Sequence, residues 1–279
     1  MPALSGRTEL IAHLGFPTET FKSPMIYNPW FEAHGIDAAV VPMGIEDAHY
    51  AAFFGALFRL TNIRGALVTM PHKVTTLALV DEIAPSARIA GACNAVLKRA
   101  DGSLLGEQFD GEGFVRAVRR KGLKLESARV LVKGAGGVGS AIAAALAAAR
   151  VRELALDDTR RPVVEAVADR LREHHGSLRV ETGPAGPEGY DLVVNATPLG
   201  MRASDPLPFD VARIASTTLV ADVVMKAEYT PLLQAARAKG CTVQVGTDML
   251  FEMIPAYLEF FGFGTATADE LKQSARLQY

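Results

Sequence analysis

The run Ala128-Arg129-Val130-Leu131-Val132-Lys133-Gly134-Ala135-Gly136-Gly137-Val138-Gly139 decides how this chain is read. Ala128 to Val132 is a short apolar stretch of strand character, and Val138 to Ala149 is an alanine-rich helical one. Between them, Gly134, Gly136 and Gly139 occupy the three positions of a G-x-G-x-x-G pattern at a strand-to-helix junction. The first glycine permits a tight turn, the second lets a pyrophosphate approach the backbone, and the third lets helix and strand pack closely. Gly137 and Val138 open the helix, whose free N–H groups and positive dipole end hold an anion.

The next strand, Glu153 to Leu156, is followed by Asp157, 23 residues beyond Gly134, where a carboxylate would meet an adenosine ribose. Asp158 follows. Two carboxylates there repel a 2′-phosphate and accept hydrogen bonds from a 2′-hydroxyl, so the expected cofactor is NAD. NADP is the alternative that Arg160 and Arg161 would serve, unless they simply open a helix as solvated residues.

Outward from this junction, apolar runs and helical patterns alternate in both directions, which predicts an α/β protein. Before it come strands at Leu10–Leu14, Ala38–Val41 and Gly65–Val68, and helices at Pro24–His34 and Asp47–Phe58. Pro71 is expected to open a further helix. A hairpin is expected over Ala92–Leu97 and Leu104–Leu105, turning at Asp101-Gly102, and then a helix from Glu112 to Arg120. After the junction come a helix over Pro162–His174 and strands at Leu178–Val180, Asp191–Asn195 and Leu219–Val223. A helix at Pro231–Ala238 and a strand at Thr242–Val245 complete that register. The amphipathic tail Met249–Phe260 has no sheet of its own and is expected to pack on the first half.

The chain's 279 residues suit two domains. With 29 basic and 31 acidic residues, the net charge of -2 leaves no basic surplus for a phosphate backbone, so nucleic acid is not an expected partner. Cys93 and Cys241 form neither a metal-ligand spacing nor a disulfide framework, so no metal is expected and a reducing compartment fits. No basic segment precedes an apolar run at the N-terminus, and the apolar stretch Ala141–Ala149 is too short to span a bilayer. A cytoplasmic protein away from membranes, monomeric or homodimeric, is the expectation.

In the first half, Thr69-Met70-Pro71-His72-Lys73 stands out, because Lys73 in the first turn of a helix would oppose the helix dipole. Asp110 precedes a helical pattern, where it could also serve as an N-cap. Asn94 is a polar residue at an apolar strand start, where it could also satisfy a turn. His13, His34 and His49 are isolated and read as structural or surface residues. His72 neighbours Lys73 and is a candidate lining residue, while the His174-His175 pair at a helix end reads as solvated.

Together these segments are similar to those of the shikimate/quinate dehydrogenase family. Gly65 to Lys73 resembles its Asn-Val-Thr-x-Pro-x-Lys signature, and Ala90 to Asn94 its Ala-x-Asn-Thr segment. Gly106 to Gly111 resembles its Gly-x-Asn-Thr-Asp-Gly segment, and Phe21-Lys22-Ser23-Pro24 its Ser-x-Ser-Pro. Asn195-Ala196-Thr197-Pro198-Leu199-Gly200-Met201, Asp222-Val223-Val224, Thr230-Pro231-Leu232-Leu233 and Met249-Leu250 continue the order along almost the whole chain.

The resemblance implies an N-terminal α/β substrate domain, 1–109 plus 247–279, and a Rossmann-type doubly wound nucleotide-binding domain over 110–246. It implies hydride exchange with a ring hydroxyl of a cyclic hydroxy acid such as shikimate or quinate. Lys73 and Asp110 would be catalytic, and Ser23, Thr69 and Asn94 would hold substrate. Thr197 and Gly246 would join Gly134, Gly136, Gly137, Val138, Gly139, Asp157 and Asp158 at the cofactor.

Departures concentrate at the end that grips the carboxylate. Phe21 stands for the first Ser, Met225 for a Tyr and Met253 for a Gln, three substrate-facing positions that lose polar groups. Leu67, Ala95 and Gln108-Phe109 also depart, and Asp157-Asp158-Thr159 replaces an Asn-Arg-Thr NADP motif. Three readings stand as alternatives: a dehydrogenase of a less polar substrate, a non-catalytic nucleotide-binding regulator, and a methylenetetrahydrofolate dehydrogenase-like enzyme. A free lysine has a pKa of ~10.4, so Lys73 needs its surroundings to work as a base, and a cleft closing on the cofactor is expected.

Overall fold

A computed structural model describes residues 4–277. The chain forms two compact units. One runs to Phe109 and resumes at Met253; the other spans Asp110–Glu252. Among the described residues, no helix is long and apolar enough to cross a membrane.

The first unit opens with β1 (Glu9–Gly15), α1 (Pro24–Ala33), β2 (Ala38–Gly44), α2 (Asp47–Leu57) and β3 (Ile63–Val68). After a 3-10 turn at Thr75–Ala78 come β4 (Glu82–Ile83), α3 (Pro85–Ala90), β5 (Ala95–Lys98) and β6 (Leu104–Glu107). The six strands lie in the order β2-β1-β3-β5-β6-β4. β1 runs parallel to both β2 and β3, and the β5–β6 hairpin adds antiparallel strands beside β3. Its turn is the expected one, with Gly102 at φ +87° and the Asp101 carboxylate accepting from the Ser103 N–H at 2.9 Å. Ala12, Leu14, Tyr50, Phe54, Ala66 and Val68 form the core on one face of this sheet.

Pro71 does not open an α-helix. The chain makes turns from Met70 to Val74, and only the 3-10 turn follows. The Lys73 carbonyl, which a helix would have used four residues on, accepts instead from the Cys93 N–H at 2.8 Å. Thr76 turns its hydroxyl back to the His72 carbonyl at 2.8 Å. No helix dipole therefore opposes Lys73, and the conflict read from the sequence does not exist.

The second unit contains α4 (Asp110–Arg120), β7 (Arg129–Lys133), α5 (Gly137–Ala148), β8 (Glu153–Asp157), α6 (Arg161–His174) and β9 (Arg179–Thr182). It continues with β10 (Leu192–Asn195), β11 (Leu219–Asp222), α7 (Pro231–Ala238) and β12 (Val243–Gln244). All six strands are parallel, in the order β12-β11-β10-β7-β8-β9. Val130, Leu131, Val132, Leu192, Val193 and Val194 are fully buried, as sheets covered on both faces require. This is the doubly wound architecture that the resemblance implies, within the α/β class that the alternation of strands and helices predicts.

α8 (Gly246–Phe261) begins in the second unit and ends in the first, and α9 (Ala268–Ser274) closes the described chain under a capping box from Thr267 and Glu270. In the first unit, the Tyr257 hydroxyl donates to the Asn94 carbonyl at 3.3 Å, and Arg64 Nε donates to the Phe261 carbonyl at 2.6 Å. The Phe261 ring lies against Gly65, where a Cβ would strike it.

Two points in the second unit have no slack. Gly111 lets α4 approach α5: a Cβ there would lie 2.7 Å from Ala145 Cβ and 2.8 Å from the Ala141 carbonyl carbon. Asn195 and Asp222, register partners at the ends of β10 and β11, share a buried network. Asn195 Nδ2 donates to Asp222 Oδ1 at 3.0 Å, Thr230 Oγ1 to Asp222 Oδ2 at 2.7 Å, and the Val224 N–H to Oδ1 at 3.0 Å. Burial pushes the Asp222 carboxyl up to about 6, although these three donors favour its charged form.

Gly111→Ala is expected to destabilise the protein by about 1–3 kcal/mol, because backbone must shift to admit the methyl group. An unchanged urea midpoint would contradict that packing. Because the folded-state pKa of Asp222 is raised, folding holds its proton across the interval that begins at the unfolded value of 3.8 and ends at about 6. Its contribution to stability therefore falls as pH rises through that interval. The stability of Asp222→Asn relative to the parent should improve by about 2–3 kcal/mol between about pH 4 and about pH 6.5. A difference that stays flat with pH would show that Asp222 ionises as freely folded as unfolded.

Candidate active site

In the first unit, neighbouring strand ends gather most of the expected substrate residues. The Thr69 N–H donates to the Leu14 carbonyl at 2.8 Å, which ties the segment after β3 to the end of β1. Gly15 makes room there: a Cβ would lie 2.9 Å from the Phe21 ring and 2.7 Å from the Met70 carbonyl, and would strike the Thr69 methyl. Phe21 and Thr69 thus meet over a residue that can only be glycine. Ser23 precedes α1 and is buried, and its hydroxyl makes no helix-capping bond. That hydroxyl is not consumed by the helix it precedes.

Asn94 sits beside the end of β3, where its carbonyl accepts from the Val68 N–H at 2.8 Å. Its side-chain oxygen accepts from the Phe109 N–H at 2.9 Å. Nδ2 of Asn94, 1% exposed, has no hydrogen-bond partner among the described residues. An unpaired buried amide donor costs about 1–3 kcal/mol, so this one is open to a ligand or a water. So Asn94 is more than a turn residue.

Lys73 is buried, 7% exposed, and its backbone is pinned to Cys93. Cys93 itself is inert: burial pushes its thiol up to about 12, and Sγ donates to the Ala95 carbonyl at 3.1 Å. His72 does not line the same place. Its ring stacks on Tyr50 with centroids 3.8 Å apart, and Nε2 lies 2.8 Å from the Ile45 carbonyl, so it anchors the turn against α2. Met253 is buried on α8, one turn before Tyr257.

In the second unit, Asp110 is the first residue of α4 and 2% exposed, where a carboxylate complements the helix dipole. Phe109, just before it, is the residue anchored by Asn94. Gly134 follows β7 at φ +101°, and a Cβ there would lie 2.6 Å from the Ala196 carbonyl. A Cβ on Gly139 would run into the Gly134 carbonyl oxygen. Gly136, by contrast, faces open space, and a Cβ there would meet only the Arg160 guanidinium, at 3.7 Å. Gly136, Gly137 and Val138 are half-exposed at the start of α5. A tight turn, a close-packed helix and one open approach fit a dinucleotide pyrophosphate.

Thr197 closes the other side of this turn. Its hydroxyl donates to Asn195 Oδ1 at 2.6 Å, so its side chain shapes the loop and its backbone adjoins Gly134. Asp158 accepts from the Ala135 N–H at 2.8 Å and the Arg160 N–H at 2.9 Å, and pairs with the Arg160 guanidinium at 3.3 Å. It braces the glycine turn. Asp157, at the end of β8, lies 3.4 Å from Lys133 Nζ. Gly246 and Met225 are brought together: a Cβ on Gly246 would lie 2.8 Å from the Met225 side chain.

His13 is not a surface residue. His13 lies in the apolar run of β1, 6% exposed, with its ring stacked on Phe21 at 4.1 Å. A histidine inside a strand buried on both faces is the signal that could have exposed it.

A family model described as the shikimate dehydrogenase substrate binding domain matches residues 14–96. The chain is 37% identical over 271 residues to a shikimate dehydrogenase (NADP(+)) of Acidiphilium cryptum, covering 96% of each protein. It is 40% identical over 258 residues to one of Rubrobacter xylanophilus, covering 90% of this chain and 89% of that one. Among solved structures it resembles a quinate dehydrogenase from Corynebacterium glutamicum in complex with NAD, with TM-score 0.85 and 29% identity, covering 96% of this chain and 98% of the other. With identities of this size holding from end to end, the chain belongs to the shikimate dehydrogenase family.

Proposed function

We propose that this protein transfers a hydride between a nicotinamide cofactor and a ring carbon that alternates between alcohol and ketone, on shikimate, quinate or a related cyclic hydroxy acid. The observation that carries the reading is Lys73, a buried ammonium-bearing side chain whose backbone is locked beside Asn94, an amide with an unpaired donor. A buried lysine beside an amide with unspent hydrogen-bonding capacity suits a site that handles protons on a polar ligand. The names of the full-length relatives support the same reaction, and they do not favour a regulator, a folate enzyme or a less polar substrate.

In the oxidative direction, Lys73 takes the hydroxyl proton as the carbinol C–H bond breaks, and in the reverse direction it returns that proton. The bound nicotinamide supplies the hydride acceptor. Thr69, Asn94 and Ser23 hold oxygens of the ring, so that the reacting carbon is presented in one orientation. Asp110 is the carboxylate that takes part with Lys73 in handling the proton. Phe21, Met225 and Met253 bound the remaining substrate surface with apolar groups.

For the cofactor, the carboxylates of Asp157, which ends β8, and of Asp158, just after it, support NAD, because they can accept from a 2′-hydroxyl. Each also faces a cation, Lys133 and Arg160 respectively. One observation favours NADP instead: the Arg160 guanidinium is exposed beside the glycine turn, and the curated relatives are named for NADP(+). We place the protein in the cytoplasm, which suits two buried, free cysteines.

Lys73→Ala is expected to lower kcat with shikimate or quinate by about a hundredfold or more while leaving cofactor affinity unchanged. Near-parental turnover would remove Lys73 from the chemistry. Steady-state kinetics with both cofactors should give kcat/KM for NAD at least about tenfold above that for NADP. The opposite ratio, abolished by Arg160→Ala, would assign the cofactor to the arginine.

A further inference from the structure

β1 sends alternate side chains to opposite faces of its sheet. Ala12 and Leu14 point into the core cluster with Tyr50 and Phe54. His13 and Gly15 therefore share the other face. Gly15 is where Phe21 and Thr69 close in, and the His13 ring lies on Phe21 with centroids 4.1 Å apart and planes 24° apart. The stack fixes the plane in which the imidazole nitrogens lie.

Three features set His13 apart from a packed core residue. It is 6% exposed, and its Nδ1 has no hydrogen-bond partner among the described residues. Lys73 acts on it electrostatically, so the ring lies within reach of that ammonium. Asn94, whose Nδ2 is also unpartnered, is bonded to the end of β3, the strand next to β1. A role in packing alone would be met by an apolar side chain and would leave no polar atom stranded.

We propose that His13 is a substrate-binding residue whose Nδ1 forms a hydrogen bond with an oxygen of the cyclic hydroxy acid, supplying the polar contact that Phe21 cannot make. This rests on the dehydrogenase reading given above. Burial first, and then the neighbouring Lys73, holds the imidazole down at about 3. At neutral pH the ring is therefore uncharged, with one N–H and one lone pair. It can bond to an oxygen without adding a second cation beside Lys73. The partner oxygen belongs either to the carboxylate or to a ring hydroxyl, and kinetics with the acid and with its methyl ester separate the two.

The test compares the parent enzyme with His13→Phe, which keeps a ring on Phe21 but has no nitrogen, and with His13→Asn, which keeps an amide near the place of Nδ1. For whichever of shikimate and quinate the parent turns over, His13→Phe should raise KM by about tenfold or more and leave kcat within about threefold. His13→Asn should hold KM within about threefold of the parent, as a hydrogen bond regained. If His13→Phe raises KM for the acid but not for the ester, the partner is the carboxylate; if for both, it is a hydroxyl. His13→Val, readily accepted in a strand, repeats the measurement should the phenylalanine variant fold poorly. KM within about twofold of the parent for the nitrogen-free variants would overturn the role of His13 while the dehydrogenase reading stands. No turnover of either acid by the parent would overturn both.

Discussion

The hydrogen bond from the Cys93 N–H to the Lys73 carbonyl couples two segments that otherwise belong to different parts of the first sheet. Through it the turn after β3, which carries Thr69 and Lys73, is held against the residues that lead into β5, among them Asn94. Asn94 in turn accepts from Val68, at the end of β3, and from Phe109 and Tyr257, so two further segments are referred to the same point. Orientation in hydride chemistry tolerates little error. Here it derives from backbone bonds rather than from flexible side chains, and a backbone carbonyl cannot relax away without breaking a strand end.

The second unit solves a different problem with similar economy. Its glycine turn needs no side chain to hold an anion, but it does need a rigid frame. Asp158 braces it from one side through the Ala135 N–H, and the Asn195–Thr197 loop closes it on the other. That loop is fixed by Asp222, whose proton affinity is raised because three donors only partly offset its burial. A buried carboxyl is thus kept for geometry at some cost in stability.

Much of this was legible in the sequence because it is local. The G-x-G-x-x-G turn, the alternation of β and α, the Asp101-Gly102 hairpin and the ends of most helices follow from neighbours within a few residues. What stayed hidden depends on distant partners. Pro71 resembles a helix start until the Lys73 carbonyl is seen bonded to Cys93, 20 positions further along the chain. The bond by which Asp158 braces the glycine turn through the Ala135 N–H is likewise invisible from its place after β8. His72 and His13 are both histidines near the signature turn and β1, yet one anchors α2 and the other faces Phe21. Only the sheet's register and pleat tell them apart.

The first unit is discontinuous along the chain: Tyr257, Phe261 and α9 belong to it, although the second unit, Asp110–Glu252, comes before them. A fragment ending near Phe109 would leave Gly65 without the ring that covers it and the Asn94 carbonyl without the Tyr257 hydroxyl. During synthesis the all-parallel unit therefore emerges whole before its predecessor can be completed. The first unit must wait, without Tyr257 and Phe261 on its sheet, until α8 has been made.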